Sequence, residues 1–393
     1  MGIRPVEAAK PSTPGAAPRD LPRLAYLSMD SVAAGIGLSQ VARYVERLAR
    51  LGVDVTLHSF EPRVPDDAQR ARLSEAGVTW RPHPFGDPGA RGGVVRVAKG
   101  AVFLAGAPLA HARTDLAAAS AVLARRRKWI WDMRGLWREQ RMALGLLAEG
   151  SRAERAMRSV ERAAATSSTA IVTLTHAAVD VLRERYGGEV ASKCTVITTC
   201  VDLDLFSASP MHPAPPVKLL LAGTLNRLYD VPTMLRLVDK LNASRPAHLT
   251  VLSAQPGPWD EAFRERGIRP ATAPAAEMPS WISGHHVGLS VLFDVGVSNR
   301  AATPTKLGEF LASGRPIVVN AGLGDMDGIV RDHDCGVVLD GDSEGALDRA
   351  VDQLNRLVDD PGTAERCRRA AERLFNIDTG VTQLLRAYAL AAQ

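Results

Sequence analysis

What most constrains this chain is an alternation that repeats in two blocks. Short apolar runs alternate with segments whose apolar residues recur every three or four positions, and a proline-dense stretch at 210–216 interrupts the series once. The runs predict strands at 23–28, 53–58, 109–112, 129–131, 170–174 and 195–198, then at 218–222, 248–253, 287–292, 316–320 and 336–339. After the first strand comes a glycine-containing loop. Leu38, Val41, Val45 and Leu48 then mark one helical face, Gly52 ends the helix, and a strand follows. Strands joined through helices run parallel, so each block predicts a doubly wound α/β domain. The expected division is a Pro- and Ala-rich disordered tail at 1–21, a first domain at 22–208, a second at 209–378 and a terminal helix at 379–393. Open parallel sheets bind ligands beyond the carboxyl ends of their strands, so two such domains facing each other would enclose a cleft.

Composition excludes several classes. No apolar run reaches the roughly 20 residues that span a bilayer. The first residues lack an apolar signal core, which predicts a cytoplasmic protein. Cys194, Cys200, Cys335 and Cys367 have no metal-ligand spacing and read as buried thiols. A net charge of +5 is a mild bias, and no aromatic-interleaved basic motif points to a nucleic-acid partner. Two basic stretches, at 125–128 and 152–162, suit anionic lipid headgroups at the inner face of a plasma membrane. The competing reading is a solvated helix whose arginines find Glu154 and Glu161.

Residues 301–319 carry the most chemistry. Thr303 and Pro304 read as the N-cap and first position of a helix, and Leu307, Phe310 and Leu311 form its apolar face. Gly314 ends it before a strand. Lys306 opposes the helix dipole unless an anion sits at that helix end, and Glu309 lies one turn on, where a carboxylate can hold a ribose diol. An exposed Lys–Glu pair is the plainer alternative. In the first block, Gly35 and Gly37 lie between strand and helix, where a phosphate or sugar can approach backbone amides. Glu61 ends the second strand, where a dinucleotide site places its ribose acid, but Gln40 stands where the third glycine of that fingerprint belongs. His111, Arg113 and Asp115 alternate from a strand end onto one side. They aim at a ligand, or else His111 caps the strand and Arg113 is a surface charge. Asp132 and Arg134 follow the strand Trp129-Ile130-Trp131 and either meet substrate or pair with each other to hold the turn.

The stretch TPTKLGEFLASGRPIVVNAGLGDMDGIV resembles the donor-nucleotide segment of family 4 glycosyltransferases, which have the GT-B fold of two Rossmann-like domains. GIGLSQVARYVERLARLGVDVTLHSFEP, AHARTDL, WIWDMRGLWREQ and TCVDLDLF stand in the order that family shows, nearest its bacterial polysaccharide and natural-product branch. The resemblance implies a retaining transferase that moves a sugar from a nucleoside-diphosphate sugar to a hydroxyl acceptor, lipid-linked or soluble. It implies donor contacts from Gly35, Gly37, Gly223, Thr224, Arg227, Thr303, Thr305, Lys306 and Glu309. Catalytic roles fall to His111, Arg113, Asp132, Arg134, Arg227 and Lys306, with no cofactor and no metal. Asp202-Leu203-Asp204 has the spacing of a metal motif but reads as capping at the domain junction. The chain departs from the family twice. Tyr229-Asp230-Val231 lacks the second basic residue expected after Arg227, and Ala301 stands where many members carry the first of two glutamates. An isomerase or epimerase on the same fold, and a nucleotide-sugar binder without turnover, remain the competing classes.

Overall fold

The computed structural model describes residues 21–211 and 215–393, so the tail expected at 1–20 lies outside the described residues. The chain divides into two compact units: residues up to Thr198 together with Ile377–Gln393, and Thr199–Asn376.

In the first unit the strands are β1 (Leu24–Ser28), β2 (Val55–Glu61), β3 (Thr79–Pro84), β4 (Leu109–Arg113), β5 (Trp129–Asp132), β6 (Ala170–Thr173) and β7 (Cys194–Val196). They form one parallel sheet ordered β3-β2-β1-β4-β5-β6-β7. The central strands β1, β4 and β5 are buried along their whole length, as a sheet covered on both faces requires. β3 was not expected from the sequence. Its Pro82 and Pro84 argue against a strand, but it lies at the sheet edge, where a missing N–H costs no ladder bond. The last helix, Ile377–Ala392, belongs to this unit. It packs on β4, β5, β6 and the helix Arg43–Arg50, burying Val381, Leu384, Leu385 and Tyr388. Arg47 Nε lies 2.8 Å from Asp378 Oδ1 at its start.

The second unit holds β8 (Val217–Ala222), β9 (Ala247–Leu252), β10 (Val287–Ser290), β11 (Ile317–Asn320) and β12 (Gly336–Leu339), all parallel in the order β12-β11-β10-β8-β9. Side-chain alternation along β8 feeds two cores. Val217, Leu219 and Leu221 enter one with the helices Val231–Ser244 and Glu344–Asp359, while Leu220 and Ala222 enter the other with Phe310, Leu311 and Phe375. The boundary falls at Thr198, ahead of the proline-dense stretch, because the intervening segment bonds into the second unit. Val201 N donates to Phe375 O at 2.6 Å, and Arg315 Nη1 donates to Ser209 O at 2.7 Å.

One local expectation is corrected. The helix Thr305–Ala312 takes Pro304, not Thr303, as its N-cap, and no side chain caps it. Pro304 is extended at ψ 129°, so helical turning starts one residue later. Thr303 is buried, and its carbonyl accepts from Thr199 Oγ1 at 3.2 Å.

Candidate functional site

In the second unit β8, β10 and β11 are neighbours, so the loops after β8 and β10 emerge at one sheet edge. The helix Thr305–Ala312 connects β10 to β11, and its first turn therefore belongs to that edge. Phe310 fixes its seat: a Cβ on Gly288 of β10 would lie 2.4 Å from the Phe310 ring, so only glycine admits this packing. Its first N–H groups lack partners within the helix, as at any helix start. Lys306 stands in that turn, 30% exposed, and its Nζ lies 2.8 Å from Oε2 of the buried Glu309. Thr305 is half-buried beside it.

The loop after β8 is rigid for reasons its sequence shows. Gly223 has φ +142°, which disfavours any side chain. Gly257 lies so close to the Leu225 carbonyl that an added Cβ would be 2.0 Å from its oxygen. Trp259 Nε1 donates to Asn226 O at 3.1 Å, and Asn226 Oδ1 accepts from Leu228 N at 2.9 Å. On this braced loop Thr224 and Arg227 are exposed, and Arg227 has no ion-pair partner among the described residues. Ala301, where many relatives carry a glutamate, is buried.

The first unit holds a denser polar cluster. The Asp132 carboxylate receives His111 Nε2 at 3.1 Å and Arg113 Nη1 at 3.2 Å on Oδ2, with Arg134 Nε 2.7 Å from Oδ1. Burial by itself would raise the Asp132 pKa, but Arg134, His111 and Arg113 together hold it well below the usual carboxylate range. Burial pushes His111 down despite Asp132, so its ring is neutral. It donates from Nε2 to the ionised Asp132 and accepts the Tyr388 hydroxyl at Nδ1, 2.9 Å away. Tyr26 stacks on it with centroids 4.0 Å apart.

This geometry corrects the reading of His111, Arg113 and Asp132 as groups that face a ligand. His111 and Asp132 are wholly buried, and the Arg113 side chain is only 2% exposed. His111 sits mid-strand, and the side to which β4 sends it is covered by the last helix through Tyr388. Thr114, at φ +73°, breaks the alternation, and Asp115 starts the helix Asp115–Leu123. The parts of the cluster that reach solvent are Arg134, at 11%, and Asp30, at 37%, with Asp30 Oδ2 3.5 Å from Arg113 Nε. Asp30 was missed. Its signal was a carboxylate two residues beyond the end of β1.

Glu61 answers the dinucleotide reading. Its buried carboxylate accepts from Ser31 Oγ at 2.5 Å, Val32 N at 2.8 Å and Ser59 Oγ at 2.6 Å. Trp80 Nε1 in turn donates to Ser59 Oγ at 2.9 Å. Glu61 is thus occupied in folding the loop after β1 and has no free face for a ribose. Gly37 is part of the same fold: a Cβ there would lie 1.9 Å from Ser31 O. Gly35, at φ +60°, is the exposed glycine. A π-helical turn, Leu38–Ala42, follows, a form often found at functional sites.

With this geometry in view, comparison with known proteins shows what the chain is similar to. The family model for Glycosyltransferase Family 4 matches residues 39–205. That match lies almost wholly within the first unit. Both units have the parallel α/β sheets of the GT-B fold, and solved GT-B glycosyltransferases match nearly the full length of the chain. Sucrose-phosphate synthase from Thermosynechococcus elongatus is 14% identical with a TM-score of 0.71, covering 94% of this chain and 98% of its own. HepE of Anabaena in complex with UDP-glucose is 14% identical at a TM-score of 0.67, with coverage of 93% and 98%. WaaG, a glycosyltransferase involved in lipopolysaccharide biosynthesis, is 14% identical at 0.68, with coverage of 92% and 99%. At such identities these likenesses establish the fold. None of the curated proteins compared with the sequence matches it. The family 4 match spans His111, Arg113, Asp132 and Arg134, whereas Arg227, Lys306 and Glu309 lie outside it.

Proposed function

We propose that this family 4 glycosyltransferase is a retaining enzyme. It moves a sugar from a nucleoside-diphosphate sugar to a hydroxyl acceptor and needs no metal ion. The observation that carries the reading is the exposed Arg227, without an ion-pair partner among the described residues, on a braced loop at the same sheet edge as Lys306 and the uncapped helix start. Departure of a nucleoside diphosphate builds negative charge on its phosphates, and fixed cations and N–H groups aimed at that charge lower the barrier. Arg227 suits a diphosphate by its forked donors, and Lys306 by its point charge. Glu309 takes the ribose hydroxyls, and Gly223, Thr224, Thr303 and Thr305 shape the surrounding backbone. The complex of HepE with UDP-glucose supports a donor of this class. Asp30 and Arg134, the solvent-reaching members of the first cluster, meet the acceptor, with Gly35 beside them.

The buried Ala301 favours one alternative, a binder that retains the nucleotide sugar without turnover. Calorimetric stabilisation by nucleoside diphosphates tests binding, because a ligand bound only by the native state stabilises it by mass action. Nucleotide release in the presence of acceptor extract, with and without EDTA, tests turnover. Binding without release would select the binder. Release abolished by EDTA would contradict metal independence, and an inverted anomeric product by NMR would contradict retention.

A further inference from the structure

We propose that the outer face of the helix Ala90–Leu104, continued by the end of the helix Asp115–Leu123, docks on an anionic lipid bilayer. The first helix buries Gly92, Gly93, Arg96, Gly100, Ala101 and Leu104. Its other side leaves Val94 70%, Val95 52% and Val102 71% exposed, with Ala98 between them. Positions 94, 95, 98 and 102 recur at helical spacing, so these residues form one stripe. The neighbouring helix extends it. Gly100 lies so near Ser120 that an added Cβ would be 2.6 Å from its hydroxyl, and Arg126 Nη2 donates to Ala107 O. Leu123, 60% exposed, lies near the end of this neighbouring helix.

Cations surround these aliphatic groups. Arg91 and Lys99 are exposed on the first helix, and Arg125, Arg127 and Lys128 are exposed just after the second. No Asp or Glu occurs between Ala90 and Leu104. Branched aliphatic side chains framed by long cationic ones suit a headgroup surface: the valines enter the acyl boundary while Lys and Arg reach phosphates. A nucleic acid would desolvate the valines for no gain, and a second copy of the same face would set cation against cation. Among the described residues no helix is long and apolar enough to cross a membrane, so the contact is peripheral.

For residues 152–162 the ion pairs are those of the solvated-helix reading. There Arg158 Nη2 lies 2.7 Å from Glu154 Oε1, which also receives Arg138 Nη1 at 2.7 Å, and Arg185 Nη1 lies 2.7 Å from Glu161. That helix, Arg152–Ser167, has no large exposed apolar residue.

Flotation of the full chain with vesicles tests the inference. One set is pure phosphatidylcholine, and the other contains about one third phosphatidylglycerol. At about 0.05 M salt the protein is expected to float with the anionic vesicles alone, and less at about 0.5 M. Val94→Glu with Val102→Glu, and separately Arg125→Glu with Arg127→Glu, should each lower the bound fraction by about tenfold. Arg155→Glu with Arg162→Glu should leave it unchanged. Circular dichroism confirms folding, and unchanged affinity for UDP in the valine variant separates this surface from the transferase reading. Three results would overturn the proposal: no flotation at low salt, binding that survives the valine variant, or binding lost only with Arg155 and Arg162. A dimer in sedimentation that Val102→Glu dissolves would assign the face to a second copy instead.

Discussion

The polar groups at the ends of β4 and β5 differ from those at the start of the helix Thr305–Ala312 in how much bonding they have left to offer. Asp132 binds three cationic or N–H partners in an interior closed to solvent, and His111 uses both ring nitrogens. Arg227 is exposed and unpaired among the described residues, and Lys306 has one partner in its own helix. Sequence alone marked both places as catalytic, through His111, Arg113, Asp132 and Arg134 in one and Arg227 and Lys306 in the other. Burial and ion pairing separate them: Asp132 and His111 are closed in by their own protein, whereas Arg227 keeps its guanidinium open to solvent.

The sharpest way to break this comparison is Asp132→Ala. It leaves Arg134 without its carboxylate and Arg113 with Asp30 alone, which should cost about 3–5 kcal/mol in urea unfolding. A variant of near-normal stability but without activity would move Asp132 to the chemistry. Arg227→Ala should show the opposite profile. Turnover should fall by about two orders of magnitude while stability shifts by no more than about 0.5 kcal/mol. Lys306→Ala should share the loss of turnover. Equal loss of stability and rate in Arg227→Ala would erase the contrast between the two regions.

Glu309→Gln sits between the extremes. It should weaken nucleoside diphosphate binding by about 1–3 kcal/mol in calorimetry, the scale of a hydrogen bond to a charged group. Unchanged affinity in the folded variant would assign the carboxylate to Lys306 alone. The smallest effect concerns Asp115, whose carboxyl is pushed up to about 7 by burial and then by the negative charge of Glu161. Its ordinary value is 3.8, so between these limits the native state holds a proton that the unfolded chain has released. Stability is therefore lost as pH rises through this window and stays lower above it. Asp115→Asn should match the native chain at pH 4 and exceed it at pH 8 in thermal melts. A gap that does not vary with pH would show that the carboxyl ionises freely.

Much of the fold was legible because its strands are apolar runs between turn residues. Strand β12 was expected at 336–339 and is Gly336–Leu339, and the others differ at their ends by one to three residues. β3 escaped because edge position, which excuses its prolines, is a property of the sheet and not of the segment. The residues around the start of the helix Thr305–Ala312 were legible as types: Lys306 is an oddity in a first helical turn, whatever surrounds it. The burial of His111 was not, because the side chain that covers it, Tyr388, lies 277 positions away in sequence. Glu61 was picked out by position, but its structural role was not legible, since its partners Ser31 and Val32 come from another loop.

The last helix has a consequence for how the protein is made. Its residues complete the first unit, so the second unit is an insertion within it, and Tyr388 reaches His111 only after that insertion has been synthesised. At typical elongation rates the ribosome needs roughly tens of seconds for such a length. Through that interval the sheet face around Tyr26, His111 and Asp132 lacks its cover, while the second unit is a continuous segment that can fold as it emerges. The piece begun first is finished last, and the nascent chain is most exposed to chaperones and aggregation at the face that the mature protein hides most completely.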